Sequence, residues 1–336
     1  MSKIAVIGAG AWGTALAIVL GRGGNNDVSL WAYEKEVCES IAQRRVNRLF
    51  LDGYIMPKTV RATGSLEEAL SNAQIVLSVM PSHHCRRLFT QMAPHLRREM
   101  LFVSATKGIE NDTLLRMSEV ISATVQEHRG FAPRISALSG PSFAREVAKG
   151  DPTALTIASA DQELAVHIQK EFSDPAFRIY TNDDIIGVEI GGAVKNVIAI
   201  AAGVCDGLDL GHNTVAALIT RGLAEISRLA VACGAKPATM AGLAGLGDLV
   251  LTCTGGLSRN RMVGVELGKG KKLEDIIASM RGMVAEGVLT TDSTVGLAKK
   301  LDCEMPITSL MYAVLHHGKT PKEAIRELMT RPGKVE

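Results

Sequence analysis

The feature that most constrains the fold is a short glycine-rich segment near the N-terminus. Gly8-Ala9-Gly10-Ala11-Trp12-Gly13 has the spacing G-x-G-x-x-G, directly after an apolar strand predicted over Lys3–Ile7 and at the start of a predicted helix. In that context Gly8 permits a tight turn, Gly10 lets the backbone approach a pyrophosphate, and Gly13 lets the helix lie close to the sheet. The helix N-terminus offers unpaired N–H groups to the anion. The segment predicts a dinucleotide site, although an ordinary strand–turn–helix junction would share part of this pattern.

The rest of the first half alternates strands with helices. Further buried strands are predicted over Val28–Trp31, Gln74–Val79, Leu101–Ser104, Ile135–Leu138, Ala154–Ile157 and Phe177–Tyr180. Continuous Val, Ile and Leu runs separated by helices indicate a parallel sheet covered on both faces. After Asn182-Asp183-Asp184, which suit a helix start, only helical patterns follow. We therefore predict an α/β Rossmann-type doubly wound sheet in residues 1–181, the dinucleotide-binding domain, and an all-α substrate and catalytic domain in residues 182–336.

Composition excludes several classes of partner. The 336 residues carry a formal net charge of +2, which gives no reason to expect nucleic acid as a partner. The six cysteines form no C-x-x-C pair and the histidines have no ligand spacing, so we expect reduced thiols and no metal site. The most apolar stretch, Ile185–Val204, carries Glu189 and Lys195, each costly in a bilayer. We interpret it as a buried helix rather than a membrane span and, without a signal-peptide pattern, expect a cytoplasmic protein.

Glu34 bears on the choice of cofactor. It lies about 20 residues after the glycine motif, at the end of the second strand, where a carboxylate can accept hydrogen bonds from the adenine ribose and would repel a 2′-phosphate. We therefore expect NAD to be favoured over NADP, with Tyr33 beside the adenine. Arg44, Arg45 and Arg48 are near in sequence and could offset this repulsion. Glu34 could instead cap the next helix.

Two further strands end in residues suited to a ligand site. Pro81 follows the strand Gln74–Val79, and Lys107 follows the strand Leu101–Ser104. Ligands of open α/β sheets bind at the carboxyl ends of the strands. Lys107 could therefore meet a phosphate or a reacting carbonyl, or be a solvated lysine before a glycine turn.

A lysine interrupts the most apolar helix. Residues 190–202 read IGGAVKNVIAIAA, and only Lys195-Asn196 is polar. A lysine is rarely buried in such a helix without a task or a partner, and burial disfavours its charged form. Lys195 is therefore a candidate for proton transfer, and the alternative is a side chain that extends its ammonium to solvent. Gly191 and Gly192 would let a cofactor or another backbone approach.

A second glycine-rich segment precedes residue types that suit a phosphate. Gly242–Gly247 leads to Asp248, Thr252 follows, and Ser258-Arg259-Asn260 comes after two more glycines. A guanidinium fork binds two phosphate oxygens, and the hydroxyl and amide add neutral donors. We expect these residues on a phosphate-binding loop. The alternative is a capped helix start with an exposed arginine.

Together these stretches resemble the bacterial NAD(P)-dependent glycerol-3-phosphate dehydrogenases. The matching segments follow one another along nearly the whole chain: GAGAWGTALA (8–17), SATKGIE (104–110), LSGPSFAREV (138–147), the Lys-Asn helix (180–203), ALITRGLAEISRL (217–229), GLAGLGDLVLTCTGGLSRNR (242–261) and EGVLTT (286–291). The combination of glycine motif, Lys-Asn helix and Ser-Arg-Asn segment makes the resemblance specific. It implies a cytoplasmic enzyme, commonly a homodimer, that reduces dihydroxyacetone phosphate for phospholipid synthesis.

The resemblance also implies roles for individual residues. Lys195 would be the general acid and base on the substrate C2 oxygen, and Asn196 and Thr252 would polarise or orient the reacting centre. The other implied substrate contacts are Lys107, Gly140, Ser142, Asp248, Ser258, Arg259 and Asn260. The cofactor contacts expected from motif and resemblance together are Gly8, Gly10, Ala11, Trp12, Gly13, Tyr33, Glu34, Pro81, Lys107, Ala144, Arg259, Val284 and Glu286.

The sequence also departs from the family. Ala11 stands where members often have serine, and Tyr33-Glu34 stands where many have His-Arg, which argues against a preference for NADP. The segment Asn47–Pro57 matches the family's Asn…Tyr-Leu-Pro loop only loosely. Two other functions remain compatible with the residues. One is a related hydroxyacid dehydrogenase, since Arg259 also suits a carboxylate, and the other is a non-catalytic NAD-binding sensor.

Overall fold

Residues 1–280 and 285–333 are described by the computed structural model. They form two units. The first contains Met1–Lys107 and Leu115–Glu189, and the second contains Gly108–Leu114 together with the chain from Ile190 onward. The short segment 108–114 thus belongs with the second unit, although the residues on both sides of it belong to the first.

A large sheet forms the centre of the first unit. The strands in chain order are β1 (Ser2–Ile7), β2 (Asn26–Trp31), β3 (Val46–Asn47), β4 (Leu51–Ile55), β5 (Val60–Thr63), β6 (Ile75–Ser78), β7 (Leu101–Ser104), β8 (Arg134–Ser139), β9 (Thr153–Ala158) and β10 (Phe177–Asn182). Strands β3 and β4 form a hairpin, and the other eight form one sheet in the order β10-β9-β8-β7-β6-β1-β2-β5. The chain builds outward from β1 to β5, then returns to place β6 on the other side of β1. This is the strand order of a doubly wound Rossmann sheet, with its switch point at β1.

Helices cover both faces of this sheet. They are α1 (Ala11–Arg22), α2 (Lys35–Arg44), α3 (Leu66–Leu70), α4 (Cys85–Met92), α5 (Met117–Arg129), α6 (Ala144–Lys149) and α7 (Gln162–Phe172). Alternate residues of β1 point to opposite faces, because Ile4 and Val6 belong to one buried cluster with α1 and α7, and Ala5 and Ile7 to another with α4 and α5. The sheet is buried on both faces, as the continuous apolar runs predict.

The sheet is parallel as expected, except that two strands at one end, β9 and β10, run opposite to the others. β9 pairs antiparallel with β8, with Leu138 beside Ile157, and β10 pairs parallel with β9. Antiparallel neighbours need only a reversal of the chain, whereas the parallel pair β9 and β10 needs the crossover that α7 supplies. An apolar run indicates that a strand is buried but carries no information about its direction.

The chain after β10 is helical. Its helices are α8 (Ile185–Gly207), α9 (His212–Ala232), α10 (Pro237–Met240), α11 (Asp248–Thr254), α12 (Arg259–Gly268), α13 (Leu273–Ser279), α14 (Glu286–Lys300), α15 (Pro306–His316) and α16 (Pro321–Met329). Residues 183–280 and 285–333 contain no strand. Asp184 caps α8 by accepting from the Gly187 N–H at 2.9 Å. A Rossmann-type sheet followed by an all-α region is the fold class that the sequence predicts.

Helix α8 has the length and hydropathy of a membrane-spanning segment. Its most apolar window has a mean hydropathy of 1.7, and 89% of that window is buried inside the protein. Its apolar surface is therefore covered by the protein's own residues, as predicted for a core helix.

Candidate functional site

The glycine motif is tightly enclosed at its two ends and open in the middle. Gly8 has a φ of +119°, and a Cβ there would lie 2.5 Å from the carbonyl oxygen of Val79. A Cβ on Gly13 would lie 1.9 Å from the Gly8 carbonyl oxygen. A Cβ on Gly10 would meet no described atom within 4 Å. The loop therefore leaves an open approach at Gly10, where the motif lets a pyrophosphate reach the backbone.

The start of α1 fits an anionic ligand. Gly10 precedes the helix in an extended conformation, and no described side chain caps it. The first-turn N–H groups of a helix have no partner within the helix. The indole Nε1 of Trp12 is also buried, without a hydrogen-bond partner among the described residues. A buried donor is costly to leave unsatisfied, so these residues fit a dinucleotide whose pyrophosphate binds at the helix start.

Tyr33 and Glu34 follow β2 at the same edge of the sheet. Tyr33 is 78% exposed. Glu34 occupies the position before α2, but its side chain makes no capping hydrogen bond to the described residues. Arg45 donates from its guanidinium to three backbone carbonyl oxygens between residues 56 and 60, which binds it to its own unit. Arg44 and Arg48 are exposed. The helix-capping alternative for Glu34 thus has no hydrogen bond in its support.

Three predicted substrate residues of the first unit meet at one carbonyl group. Gly140, with a φ of +140°, accepts at its carbonyl oxygen from Lys107 Nζ at 3.4 Å and from Ser142 Oγ at 3.0 Å. Ala144 begins α6 shortly afterwards. Pro81 lies between β6 and a single 3₁₀ turn. The first unit therefore brings Lys107, Gly140 and Ser142 together.

Lys195 is buried in α8, only 6% exposed, and two polar side chains hold its ammonium group. Its Nζ lies 2.9 Å from Asp248 Oδ1 and donates to Thr252 Oγ1 at 2.7 Å. The Thr252 hydroxyl donates to the Asp248 carbonyl oxygen at 2.6 Å, so the three residues form one network across α8 and α11. The lysine does not extend to solvent. A carboxylate in contact offsets the cost of burying the ammonium.

A wide helical turn brings Asp248 to this position. The Gly247 N–H donates to the Gly242 carbonyl oxygen at 3.1 Å, which makes a π-helical turn directly before α11. A Cβ on Gly191 of α8 would lie 2.8 Å from the Ala244 carbonyl oxygen within that turn. Turns of this kind occur frequently at functional sites. The absence of a side chain at Gly191 therefore lets the turn pack directly on α8, one helical turn from the buried lysine.

Arg259 and Asn260 begin α12, so the expectation of a loop was wrong. Ser258 is the N-cap residue, and its hydroxyl accepts from the Arg261 N–H at 3.2 Å. Serine is a strong N-cap, which is why the chain turns into a helix here. Although Arg259 as a whole residue is exposed, the protein around its guanidinium partly desolvates that group. This desolvation lowers the pKa of Arg259, and the Glu286 carboxylate opposes the effect.

Asn260 links the starts of two helices. Its Oδ1 accepts from the Gly287 N–H at 2.9 Å, in the first turn of α14. A Cβ on Gly287 would lie 2.7 Å from the carbonyl oxygen of Asn196 on α8. The N-termini of α12 and α14 thus meet beside Asn196, with the guanidinium of Arg259 at one of them. Such an arrangement suits a phosphate. Val284, a predicted cofactor contact, lies outside the described residues.

Four glycines set the spacing between α8 and α12. Gly203 and Gly207 form one G-x-x-x-G pair on α8, and Gly264 and Gly268 form another on α12. A Cβ on Gly264 would lie 1.9 Å from the Ile200 carbonyl oxygen. Small residues one turn apart let helix backbones approach closely. The contact fixes the helix that carries the buried lysine against the helix that begins with the predicted phosphate-binding arginine.

Two family models match the chain, one for each half. Residues 3–165 match the N-terminus of NAD-dependent glycerol-3-phosphate dehydrogenase, and residues 184–326 match its C-terminus. The chain belongs to the NAD-dependent glycerol-3-phosphate dehydrogenase family.

Relatives in this glycerol-3-phosphate dehydrogenase family match the chain over its full length. A glycerol-3-phosphate dehydrogenase (NAD(P)+) from Koribacter versatilis is 69% identical and covers 100% of this chain and 99% of its own. One from Geobacter sulfurreducens is 54% identical, covering 99% of this chain and 98% of its own. The crystal structure of glycerol-3-phosphate dehydrogenase from Coxiella burnetii has a TM-score of 0.93 at 41% identity, covering 98% of this chain and 99% of that chain. The similarity therefore extends over both units.

Sequence reasoning missed how the buried charges of this chain are paired. It singled out Lys195 and Asp248 but not the contact between them. It noted Glu189 only as a charge in an apolar helix, whereas the carboxylate accepts from the Ser118 N–H at 2.7 Å and pairs with Arg116. Burial raises the pKa of Glu189, and the Arg116 guanidinium lowers it. A charge within an apolar helix signals a buried partner, but local sequence does not say which residue that is.

Proposed function

We propose that this chain catalyses the reversible NAD(P)-dependent interconversion of dihydroxyacetone phosphate and sn-glycerol 3-phosphate, and so supplies glycerophospholipid synthesis. The observation that carries the proposal is the buried network of Lys195, Asp248 and Thr252. Lys195 lies on α8, and α8 packs directly against α12, the helix that begins at Arg259. Residues 1–181 bind the dinucleotide in this proposal, and residues 182–336 supply the proton and bind the substrate phosphate.

Lys195 moves the proton. In the reduction, its Nζ gives a proton to the C2 oxygen of dihydroxyacetone phosphate as the carbonyl becomes an alcohol, and in the oxidation it takes that proton back. Asp248 compensates the ammonium charge, and Thr252 fixes the direction of Nζ through its 2.7 Å hydrogen bond. The bound nicotinamide supplies or accepts the hydride. Asn196, next along α8, orients the reacting centre.

The starts of α12 and α14 bind the phosphate. Arg259 binds two phosphate oxygens with its planar guanidinium. Asn260 presents its amide N–H groups to the ligand, because the Gly287 N–H already holds its Oδ1. Lys107 and Ser142 of the first unit are further proposed substrate contacts.

The first unit binds the dinucleotide, with its pyrophosphate at Gly10 and the start of α1. Trp12 donates from its Nε1, which has no hydrogen-bond partner among the described residues. Glu34 accepts from the adenine ribose hydroxyls and favours NAD, since Arg45 is already engaged by backbone carbonyls. The ratio of kcat/KM for NADH to that for NADPH tests this preference. A higher value for NADPH would contradict it.

We also propose that the protein is a cytoplasmic homodimer, as the resemblance to the family implies. Apolar side chains exposed in the second unit include Val250, Leu257 and Met262, and a second copy of the chain could cover them. Sedimentation velocity should give twice the mass of one chain. A monomer at micromolar concentration would contradict the proposal.

The activity is tested by following nicotinamide absorbance with the purified protein. NADH should be oxidised with dihydroxyacetone phosphate and not with 2-oxo acids of similar size. Turnover with the 2-oxo acids instead would indicate a hydroxyacid dehydrogenase. Binding of NADH without oxidation by any of these substrates would indicate a sensor.

Arg259→Ala tests the phosphate contact. Loss of charge-assisted hydrogen bonds worth about 1.5–3 kcal/mol should raise the KM for dihydroxyacetone phosphate about 10- to 100-fold. Unphosphorylated dihydroxyacetone is the matched control, because it has no phosphate to lose and its kcat/KM should stay the same. Equal losses for both substrates would show that Arg259 does not bind the phosphate.

A further inference from the structure

We propose that Asn47, in the β3–β4 hairpin, is a positioning residue for the dinucleotide loop. It holds the Ala9–Gly10 peptide so that the Gly10 N–H faces the cofactor pyrophosphate. The inference rests on the proposed function, because it concerns the same cofactor site.

Asn47 is fully buried, with 0% exposure, and its amide bonds directly to the glycine motif. Its Nδ2 donates to the Ala9 carbonyl oxygen at 2.8 Å and to Thr14 Oγ1 at 2.8 Å. Its Oδ1 accepts from the Phe50 N–H at 3.2 Å, within its own hairpin. One side chain therefore connects the hairpin, the loop and the first helix after it.

Thr14 completes this network. Its hydroxyl donates to the Ala9 carbonyl oxygen at 3.2 Å while accepting from Asn47. The Ala9 carbonyl group therefore accepts from two donors on one side of the loop. A glycine-rich loop has little conformational preference of its own, so these bonds supply the restraint that its residues lack.

Fixing the Ala9 carbonyl also fixes the Gly10 N–H. The two groups share one planar peptide unit, and no peptide bond in the described chain is cis. In a trans peptide the N–H points away from the carbonyl oxygen, here away from Asn47. A Cβ on Gly10 would meet no described atom within 4 Å, so the position is open to a ligand.

The hairpin itself is firmly attached. Ser40 Oγ donates to the Val46 carbonyl oxygen at 2.7 Å, and the Met56 N–H donates to the Arg45 carbonyl oxygen at 2.7 Å. Leu51 belongs to the buried cluster that includes α1 and is 2% exposed. Asn47 therefore links the position of the loop to that of the firmly attached hairpin. It is not itself one of the proposed cofactor contacts.

The test compares Asn47→Ala with Asn26→Ala. Asn26 is a matched control, because it is 5% exposed and its Nδ2 donates to the Leu20 carbonyl oxygen at 3.1 Å, at the other end of α1. Asn47→Ala should raise the Kd for NADH about 10-fold, which corresponds to about 1.4 kcal/mol. At saturating NADH its kcat and its KM for dihydroxyacetone phosphate should match the wild type. Asn26→Ala should bind NADH as the wild type does.

Cofactor fragments separate positioning from general damage. ADP-ribose, which keeps the pyrophosphate, should lose affinity for Asn47→Ala by the same factor as NADH, whereas adenosine should bind both proteins equally. Thr14→Val removes the two hydrogen bonds of the Thr14 hydroxyl but keeps the one from Asn47 to the Ala9 carbonyl. It should therefore show a smaller loss of the same kind, and it replaces Asn47→Ala as the test if that variant does not fold.

Three results would overturn the inference. Unchanged NADH affinity in a folded Asn47→Ala or Thr14→Val variant would do so while leaving the proposed function intact. An equal loss in Asn26→Ala would assign the effect to general destabilisation. Failure of the wild-type protein to bind NADH would reject the proposed function, and the inference with it.

Discussion

At Lys195 an ammonium lies 2.9 Å from the Asp248 carboxylate, within a helix that is otherwise apolar. Breaking a buried pair by removing one partner typically costs about 3–5 kcal/mol, because the remaining charge is left uncompensated. A chain that needed only stability could fill this position with an apolar residue. Retaining both charges is therefore consistent with a chemical task for the lysine.

Lys195→Met should lower kcat by about 10²- to 10⁴-fold, the usual contribution of a positioned proton donor. The Kd for NADH should remain close to the wild-type value, since the proposed dinucleotide site lies in the other unit, and its measurement also verifies folding. Lys195→Met leaves the buried Asp248 carboxylate without its ammonium partner, which destabilises the fold. The double variant Lys195→Met/Asp248→Asn removes that charge and so controls for the destabilisation. Wild-type turnover in Lys195→Met would reject the proton-transfer role.

Glu225 is a second buried carboxylate, with a structural role. It lies on α9, 3% exposed, and accepts from the Ile307 N–H at 2.6 Å and the Thr308 N–H at 3.2 Å, at the start of α15. Burial raises the pKa of Glu225 to about 7, although these hydrogen bonds and Arg228 act to lower it. The folded protein therefore binds the Glu225 proton more tightly than the unfolded chain does.

The stabilisation from this proton is fully present below the unfolded pKa, near 4.5, and is lost as pH rises through the folded pKa of about 7. Glu225→Gln keeps an acceptor oxygen but cannot titrate. Between these pH values the wild type should lose about 3 kcal/mol of unfolding free energy relative to the variant, at about 1.4 kcal/mol for each pKa unit. Urea unfolding at both pH values measures the difference, and parallel pH dependences would contradict the role.

At the scale of elements, the sequence predicts what depends on local patterns. The seven predicted strands and the glycine-motif helix form, because apolar runs and glycine spacing specify them. Three strands were missed. Strand β3 contains only two residues, polar Asp52 and Gly53 interrupt β4 (LDGYI), and Arg61 interrupts the short β5 (VRAT). The reversal at β9 and the contact between α8 and α12 depend on residues far apart in the chain.

The burial of Glu225 did have a local signal in the sequence, since Glu225 lies with Gly222, Ile226 and Leu229 at the spacing of an apolar helix face.

Gly264→Ala tests the contact between α8 and α12. Its Cβ would lie 1.9 Å from a backbone oxygen, so the helices must separate, and overpacking of this kind costs about 1–3 kcal/mol. The KM for dihydroxyacetone phosphate should also rise, because α12 begins at Arg259. Gly256→Ala is the control, since a Cβ there meets no described atom within 4 Å. Equal stability of the two variants would show that the contact is not tight.

At the scale of the whole molecule, the proposed tasks are divided between the two units. The glycine motif, Glu34 and the Asn47 network belong to the first unit, and the Lys195 network and the start of α12 belong to the second. The sequence predicts this division, because the dinucleotide motif and the Lys-Asn helix lie in different halves of the chain. It does not predict which side chains pair within each unit, since pairs such as Lys195 and Asp248 depend on packing between separate helices.

Cofactor binding should stabilise the folded molecule. With NADH at about 100 times its Kd, the free energy of unfolding should rise by about 2.7 kcal/mol, because only the folded state binds the ligand. Thermal unfolding with and without NADH measures this rise, and inorganic phosphate at the same concentration is the control. An unchanged melting temperature with NADH would contradict dinucleotide binding.

The close packing of four glycines, Gly203 and Gly207 on α8 with Gly264 and Gly268 on α12, also limits how this protein can be redesigned. Neither α8 nor α12 can be shifted, rotated or given a bulkier face without displacing the backbone of the other. If the start of α12 binds substrate as proposed, its preference is more readily altered by exchanging exposed side chains there than by repacking the contact between α8 and α12. By the same reasoning, homologues can place larger side chains between α8 and α12 only through coordinated changes on both helices.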